Sequence, residues 1–347
     1  MRLKVIILFI TIIAAGALSI EASKNIGKKE PGPKVTMLKF TVPKGWPKPV
    51  YDFTSNPITQ QGFDLGKKLF YDGRLSKDGN FPCASCHQQF AAFSTFEHSF
   101  SHGFNNTLST RNASGIFNVA WKKNFMWDGG ITHLDLQPLA PITAANEMSE
   151  TFQNIIIKLK KDVVYKKMFT AAFGDERINT QRITRALSQF LLMMVSSNSK
   201  YDKVMRGEDS FNLPQRLGYE IFKQKCVSCH AEPFFTDFSY RNNGLPPMPG
   251  IADAGRMRIT GNKEDSLKFF VPSLRNTQLT SPYMHDGRFI YLDNVLNHYR
   301  NEVVVGPTTD SSLKNKIALS NFEIGQIKAF LYTLTDTAFI KDKRFSE

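Results

Sequence analysis

Every cysteine of this 347-residue chain falls in one of two copies of a single pattern, Cys83-Ala84-Ser85-Cys86-His87 and Cys226-Val227-Ser228-Cys229-His230, 143 positions apart. The C-x-x-C-H pattern is the attachment signature of c-type haem. Two thiols at this spacing add across the two vinyl groups of one haem, and the adjacent histidine reaches the iron as proximal ligand. One copy alone could be a redox dithiol or half a zinc site, and four cysteines in an exported chain could form two disulfides. Two copies that use up every cysteine point instead to two covalently bound haem c groups.

The rest of the composition narrows the setting. Hydrophobic residues make up 41% and charged residues 22%, which fits neither a wholly disordered chain nor a polytopic membrane protein. At about 150 residues per domain the length suggests two domains. Met1 to Lys4 is a short basic start, and Val5 to Leu18 is an apolar run of 14 residues ending among small residues. That run is shorter than the ~20 residues of a spanning helix and has the order of a signal peptide. Cleavage at Ala17-Leu18-Ser19 or after Ala22 is expected, with 1–22 removed and the remainder exported to the periplasm. The net charge of +13 favours acidic partners or surfaces. The basic residues, however, are dispersed in pairs such as Lys122-Lys123, Lys160-Lys161 and Lys166-Lys167, which read as solvated faces and not as a nucleic-acid site.

Along the chain, Ser23 to Val50 is rich in Lys, Pro and Gly and reads as an extended strap. Helical periodicity places Phe63, Leu65, Leu69 and Phe70 on one face of Gln61 to Tyr71 before the first motif. Leu217, Ile221 and Phe222 do the same before the second. Longer helical patterns cover Glu150 to Phe173, Thr180 to Met205 and Asn321 to Thr333, and Gly207 to Ser210 is the best domain boundary. The expected fold is mainly α, with two cytochrome c-like haem domains, 23–206 and 207–347, and little β structure.

A proximal histidine leaves one axial position on each iron, whose occupant separates an electron carrier from an enzyme. Candidates near the first motif are His98, His102, Met126 and His133. Near the second they are Met248, Met257, Met284, His285, His298 and Tyr299. Spacing alone does not choose among them.

Beyond the motifs, the chain contains Thr110-Arg111-Asn112, Phe117-Asn118-Val119-Ala120, Phe125-Met126-Trp127-Asp128-Gly129-Gly130, Pro272-Ser273-Leu274-Arg275-Asn276 and Ser281-Pro282-Tyr283-Met284-His285-Asp286-Gly287. With these it resembles the bacterial dihaem cytochrome c peroxidase and MauG family over nearly the whole mature length. The resemblance implies peroxide chemistry at the first haem, with Gln137, Pro141 and Glu147 in its distal pocket. Glu147 is implied as proton shuttle and Gln137 as the group that orients peroxide. Read without the family, a glutamate placed like Glu147 near a helix start is more often an N-terminal capping carboxylate. His102 matches a loop histidine that caps the first haem in resting peroxidases. Trp127 matches the tryptophan between the haems, and Asn112, Thr280 and Pro282 match a calcium site.

At the second haem the chain departs from peroxidase members. Where they place a methionine, fourteen residues after His285, it has Tyr299, as MauG-like members do; Met284 is the alternative ligand. A phenolate lowers the potential of ferric iron where methionine raises it. The leading expectation is an exported peroxidase that reduces hydrogen peroxide with electrons relayed through the C-terminal haem from a small donor protein, a cytochrome c or cupredoxin. The alternatives are MauG-like oxidation of a partner protein and a non-catalytic dihaem electron carrier, which has no use for Gln137 and Glu147. The resemblance also makes a homodimer a candidate assembly.

Overall fold

A computed structural model describes residues 35–347. The expected signal peptide and both cleavage positions lie outside the described residues. Among the described residues no helix is long and apolar enough to cross a membrane.

The chain folds as predicted into a mainly helical protein. Its only described sheet is one antiparallel pair, with Tyr240 opposite Phe270 and Arg241 opposite Phe269. The first helix, Gln60–Tyr71, is started by Thr59, whose side chain accepts from the Gly62 amide. It buries Phe63, Leu65, Leu69 and Phe70, the stripe that the periodicity marks. The second motif follows Leu213–Lys225, where Asn212 and Gln215 form a reciprocal cap and Pro214 sits in the first turn. The last long helix is Asn321–Tyr332, capped by Ser320 and Glu323.

Two expected helices are divided in the structure. Glu150 to Phe173 forms Phe152–Lys160 and Val163–Phe173, because Asp162 caps a new start by accepting from the Val164 amide at 2.7 Å. Thr180 to Met205 forms Thr180–Leu192 and Lys200–Met205, the second begun by a Ser199–Asp202 capping box. In both cases a local side-chain cap overrides a continuous apolar periodicity.

Two apolar cores result, and each carries one motif. Cys83 packs against the first, which runs through Leu65, Phe93, Ile155, Phe169 and Phe190; Cys226 packs against the second, built on Phe222, Phe235, Ile327 and Phe330. Phe339 and Phe345, near the C-terminus, are buried in the first core.

After the motifs, a segment of the first half repeats in the second at a spacing of 158 residues. Asn118 and Asn276 both take left-handed φ, as do Met126 and Met284, and Gly129 and Gly287. A 3₁₀ turn follows each asparagine, Val119–Trp121 and Thr277–Leu279. The bridge Phe125–Ile131 has its counterpart in Tyr283–Phe289. Both asparagines also bond Ser196: Asn118 Oδ1 accepts from its amide at 2.9 Å, and Asn276 Nδ2 donates to its hydroxyl at 3.0 Å.

The helix crossings repeat as well. A Cβ on Gly66 would lie 1.9 Å from the Ala186 carbonyl oxygen, and one on Gly218 the same distance from that of Gln326. Only hydrogen at these positions allows Gln60–Tyr71 to approach Thr180–Leu192, and Leu213–Lys225 to approach Asn321–Tyr332, this closely. Behind the second crossing Arg275, fully buried, donates to both carboxylate oxygens of Asp202 at 2.7 and 2.9 Å and to the Pro233 carbonyl. Burial alone would raise the Asp202 carboxyl, but the guanidinium outweighs it and holds the group below its usual range. We expect Gly218→Ala to cost at least ~1–3 kcal/mol, as overpacking does. Urea denaturation checks this by a lowered midpoint at unchanged slope, and an unchanged midpoint would contradict the crossing.

Candidate functional site

The first motif opens in the short helical turn Cys83–Cys86, the second at Cys226, which caps the C-terminus of Leu213–Lys225, and none of the four cysteines is in a disulfide. The histidine that follows is oriented by the backbone. His87 Nδ1 lies 2.8 Å from the Phe93 carbonyl oxygen, and His230 Nδ1 lies 3.1 Å from that of Phe235. A carbonyl oxygen only accepts, so each Nδ1 carries the proton and each Nε2 is left with its lone pair. Burial lowers both imidazoles, His87 to about 4, which keeps them neutral as metal ligands must be. Free thiols at C-x-x-C spacing beside a neutral histidine with an available Nε2 are the donor set that haem c requires.

A cavity of about 290 Å³ adjoins the second motif, close to the lower end of the ~300–1,000 Å³ typical of cofactor sites. Cys226, Cys229 and His230 line it together with Met284, His285 and Tyr299. Tyr299 stands in the π-helical turn His298–Glu302, a distortion often found where a helix presents a functional side chain. Burial pushes its phenol up to about 12, partly offset by a hydrogen bond with Asn243. Asn243 Nδ2 also donates to Met284 Sδ at 3.5 Å. The other candidates are engaged or lie elsewhere. His298 Nε2 is 3.0 Å from the Asn243 carbonyl oxygen, His285 stacks on Phe269 at 3.6 Å between ring centroids, and Met248 lines a separate small pocket. Met257 begins the short helix Met257–Thr260.

Asn112, Thr280 and Pro282 line the same cavity as the second motif. The Asn112 carbonyl accepts from Trp127 Nε1 at 2.8 Å, and its amide donates to the His285 carbonyl at 2.8 Å. Trp127 joins the two halves: its carbonyl accepts from the Phe270 amide at 2.7 Å, and its ring lies 6.4 Å from that of His285. These two rings are 158 positions apart, so equivalent residues of the repeat meet each other.

The three residues expected beside the first haem, Gln137, Pro141 and Glu147, belong to one folded segment around the turn Leu139–Thr143. The Pro141 carbonyl accepts from the Met148 amide at 3.2 Å. Gln137 Nε2 lies 4.0 Å from Met126 Sδ. The loop bearing His102 packs directly on this segment: the Phe104 amide donates to the Glu147 carbonyl at 2.7 Å, and a Cβ on Gly103 would lie 2.7 Å from Glu147 Cα. Burial raises the Glu147 carboxyl, with no cation nearby to oppose it. The His102 side chain is exposed, with Nδ1 2.7 Å from Asn106 Oδ1, and the exposed His98 ring stands against it at 5.2 Å. His133 caps the turn Leu134–Leu136 by accepting from the Asp135 amide.

Three features of the site carry no motif that sequence reasoning identified. Asn243 touches both Met284 and the Tyr299 phenol. Phe93 and Phe235 supply the carbonyls that orient the histidines. Lys122, read as part of a solvated pair, lines the cavity and has its ammonium 4.5 Å from the Phe270 ring centroid.

A family profile described as di-haem cytochrome c peroxidase matches residues 60–210. The methylamine utilization protein MauG of Methylophilus methylotrophus is 34% identical over 309 residues, covering 85% of this chain and 88% of that protein. The cytochrome c551 peroxidase of Nitrosomonas europaea is 33% identical over 276 residues, with 78% and 79% covered. Among solved structures, a MauG-like protein associated with microbial copper homeostasis superposes with a TM-score of 0.82 at 31% identity, covering 89% of this chain and 99% of that one. The diheme peroxidase BthA from Burkholderia thailandensis shares the fold, with a TM-score of 0.72 at 19% identity over 86% of this chain and 92% of its own.

Proposed function

Because the chain belongs to the di-haem cytochrome c peroxidase family, an oxidoreductase family carrying two haem c groups, we propose that it reduces hydrogen peroxide to water at the haem of Cys83, Cys86 and His87. Its electrons come from a small donor protein through the haem of Cys226, Cys229 and His230. The observation that carries this reading is the half-buried Glu147 carboxyl, raised by desolvation and packed under the Gly103 loop. A pure electron carrier has no use for such a group.

When bound, haem supplies iron that coordinates peroxide and exchanges electrons with it. The protein supplies the proton handling. The Glu147 carboxylate accepts a proton from hydrogen peroxide and returns it to the departing oxygen as water leaves; its raised basicity suits both steps. Gln137 donates from Nε2 to orient the peroxide, and Pro141 keeps the adjoining wall apolar. The outward position of His102 leaves this side open to peroxide. Trp127, bonded to both halves, is assigned to electron passage between the haems. Asn112, Thr280 and Pro282 offer oxygens to a calcium ion completed by waters. The first residues support export to the periplasm.

A second reading, MauG-like oxidation of a partner protein, is favoured by Tyr299. The 158-residue repeat makes Tyr299 the counterpart of Pro141, which the peroxidase reading places on the distal side of the first haem. That supports Tyr299 on the corresponding side of the second. A phenolate there lowers the iron's potential and suits storage of oxidising equivalents better than their delivery from a high-potential donor.

Two measurements check these assignments. The rate of the peroxide reaction should rise with pH through the raised Glu147 pKa, since only the carboxylate accepts a proton, and then level off. Glu147→Gln should abolish that rise and slow the reaction by about 10²–10⁴-fold; an unchanged profile in stopped-flow mixing would remove Glu147 from the mechanism. Tyr299→Phe should change the ferric absorption spectrum of the second haem and leave the first unaltered. No change would pass the ligand role to Met284.

A further inference from the structure

The wall of the second-haem cavity has no Asp or Glu, yet it includes four basic side chains, Lys122, Lys225, Arg241 and Arg275. Three of these are neutralised by carboxylates behind the wall. Lys225 Nζ is 2.5 Å from Glu323 Oε1, Arg241 bonds both Asp237 and Asp310, and Arg275 bonds Asp202. Lys122 differs. Among the described residues its ammonium has no hydrogen-bond acceptor and no carboxylate within ion-pair distance; its neighbours are the faces of Phe270 and Phe125, at 4.5 and 5.8 Å from the ring centroids. Phe270 is itself part of the cavity wall.

An ammonium held against two aromatic faces retains some cation–π attraction, but this does not replace the hydration that it loses. Burial without a partner accordingly pulls Lys122 down to about 8. Its neighbour Lys123 is exposed, so the sequence pair is divided between solvent and cavity. In the repeat, Lys122 stands at the position of Thr280, which also lines this cavity. The site therefore presents one uncompensated positive charge to whatever fills it, within walls that are otherwise apolar or already neutral.

We propose that Lys122 is a cofactor-binding residue that pairs with a carboxylate of the haem in the second cavity. A porphyrin of the haem type carries two propionate groups, and a buried carboxylate needs a cation to remain ionised. Lys122 is the one basic group of this wall with its charge still to be matched. The pairing serves binding and also sets the electrostatics at the iron. Removing the ammonium leaves a negative group unneutralised near the metal and favours the ferric state. The assignment holds whether the oxidising equivalents go to a donor protein or to a protein substrate.

The test is a spectroscopic redox titration of the haem-loaded protein that resolves both haems, run on the wild type, Lys122→Gln, Lys122→Met and Lys122→Arg, with Lys123→Gln as the exposed control. The neutral variants should lower the midpoint of the second haem so that its ferrous-to-ferric ratio at fixed poise falls about tenfold, equivalent to ~59 mV for one electron. The arginine variant and the control should stay at the wild-type value. A second-haem midpoint unmoved in both neutral variants, a shift confined to the first haem, or an arginine variant that matches the neutral ones would overturn the proposal. Haem content read by mass spectrometry covers poor loading. Loss of the second haem in the neutral variants with retention in Lys122→Arg supports the pairing, whereas equal loss in all three makes Lys122 a packing position and refutes it.

Discussion

The hydrogen bond from each C-x-x-C-H histidine to a backbone carbonyl sets the geometry on which the rest of the site depends. It fixes the tautomer, aims Nε2 and holds the imidazole neutral. The carbonyls belong to Phe93 and Phe235, both fully buried and both at positive φ, 57° and 56°. Left-handed backbone at a bulky residue costs on the order of 1–2 kcal/mol. Each phenylalanine is held there by its packing: Phe93 against Phe70, Phe339 and Phe345, and Phe235 against Tyr201, Phe222 and Phe330. The aromatic cores thus hold the carbonyls that orient His87 and His230, and loosening them would release both rings.

The repeat explains how two similar halves come to hold dissimilar pockets. The shared elements are turns: the left-handed asparagines, the 3₁₀ turns after them and the Met-x-Asp-Gly loops. The residues those turns present differ. Trp127 is matched by His285, Pro141 by Tyr299 and Lys122 by Thr280. The acidic residue of the first loop, Asp128, is buried and bonds Arg111 and Arg258, with Arg111 passing on to Asp253. Its counterpart Asp286 bonds Arg288. A common scaffold therefore presents Gln137, Pro141 and Glu147 in one half and a phenol-lined cavity in the other.

The two C-x-x-C-H motifs were legible in the sequence because haem attachment demands a fixed spacing. The helices were legible wherever an apolar stripe ended in recognisable caps. Periodicity failed at Asp162 and Ser199, where a single side chain restarts a helix inside a continuous hydrophobic pattern. Beyond the two C-x-x-C-H motifs, the visible traces of the repeat were the duplicated Met-x-Asp-Gly at Met126 and Met284 and the paired Asn118 and Asn276, while many other positions share backbone conformation and not residue type. Lys122 was misread for a related reason: its burial comes from the Phe270 strand, which is distant in sequence, and nothing in the Lys-Lys pair signals that one member faces a cavity. The packing of Gly103 and Phe104 on Glu147 was not legible, because that loop comes from a distant part of the chain.

The central claim is an open, peroxide-reactive first haem beside a second haem closed by a protein ligand. Electron paramagnetic resonance of the ferric, haem-loaded protein before and after one equivalent of hydrogen peroxide tests it most directly. The account predicts a high-spin five-coordinate signal that peroxide removes. Two low-spin six-coordinate signals that peroxide leaves unchanged, even after one-electron reduction, would contradict it and leave a dihaem electron carrier.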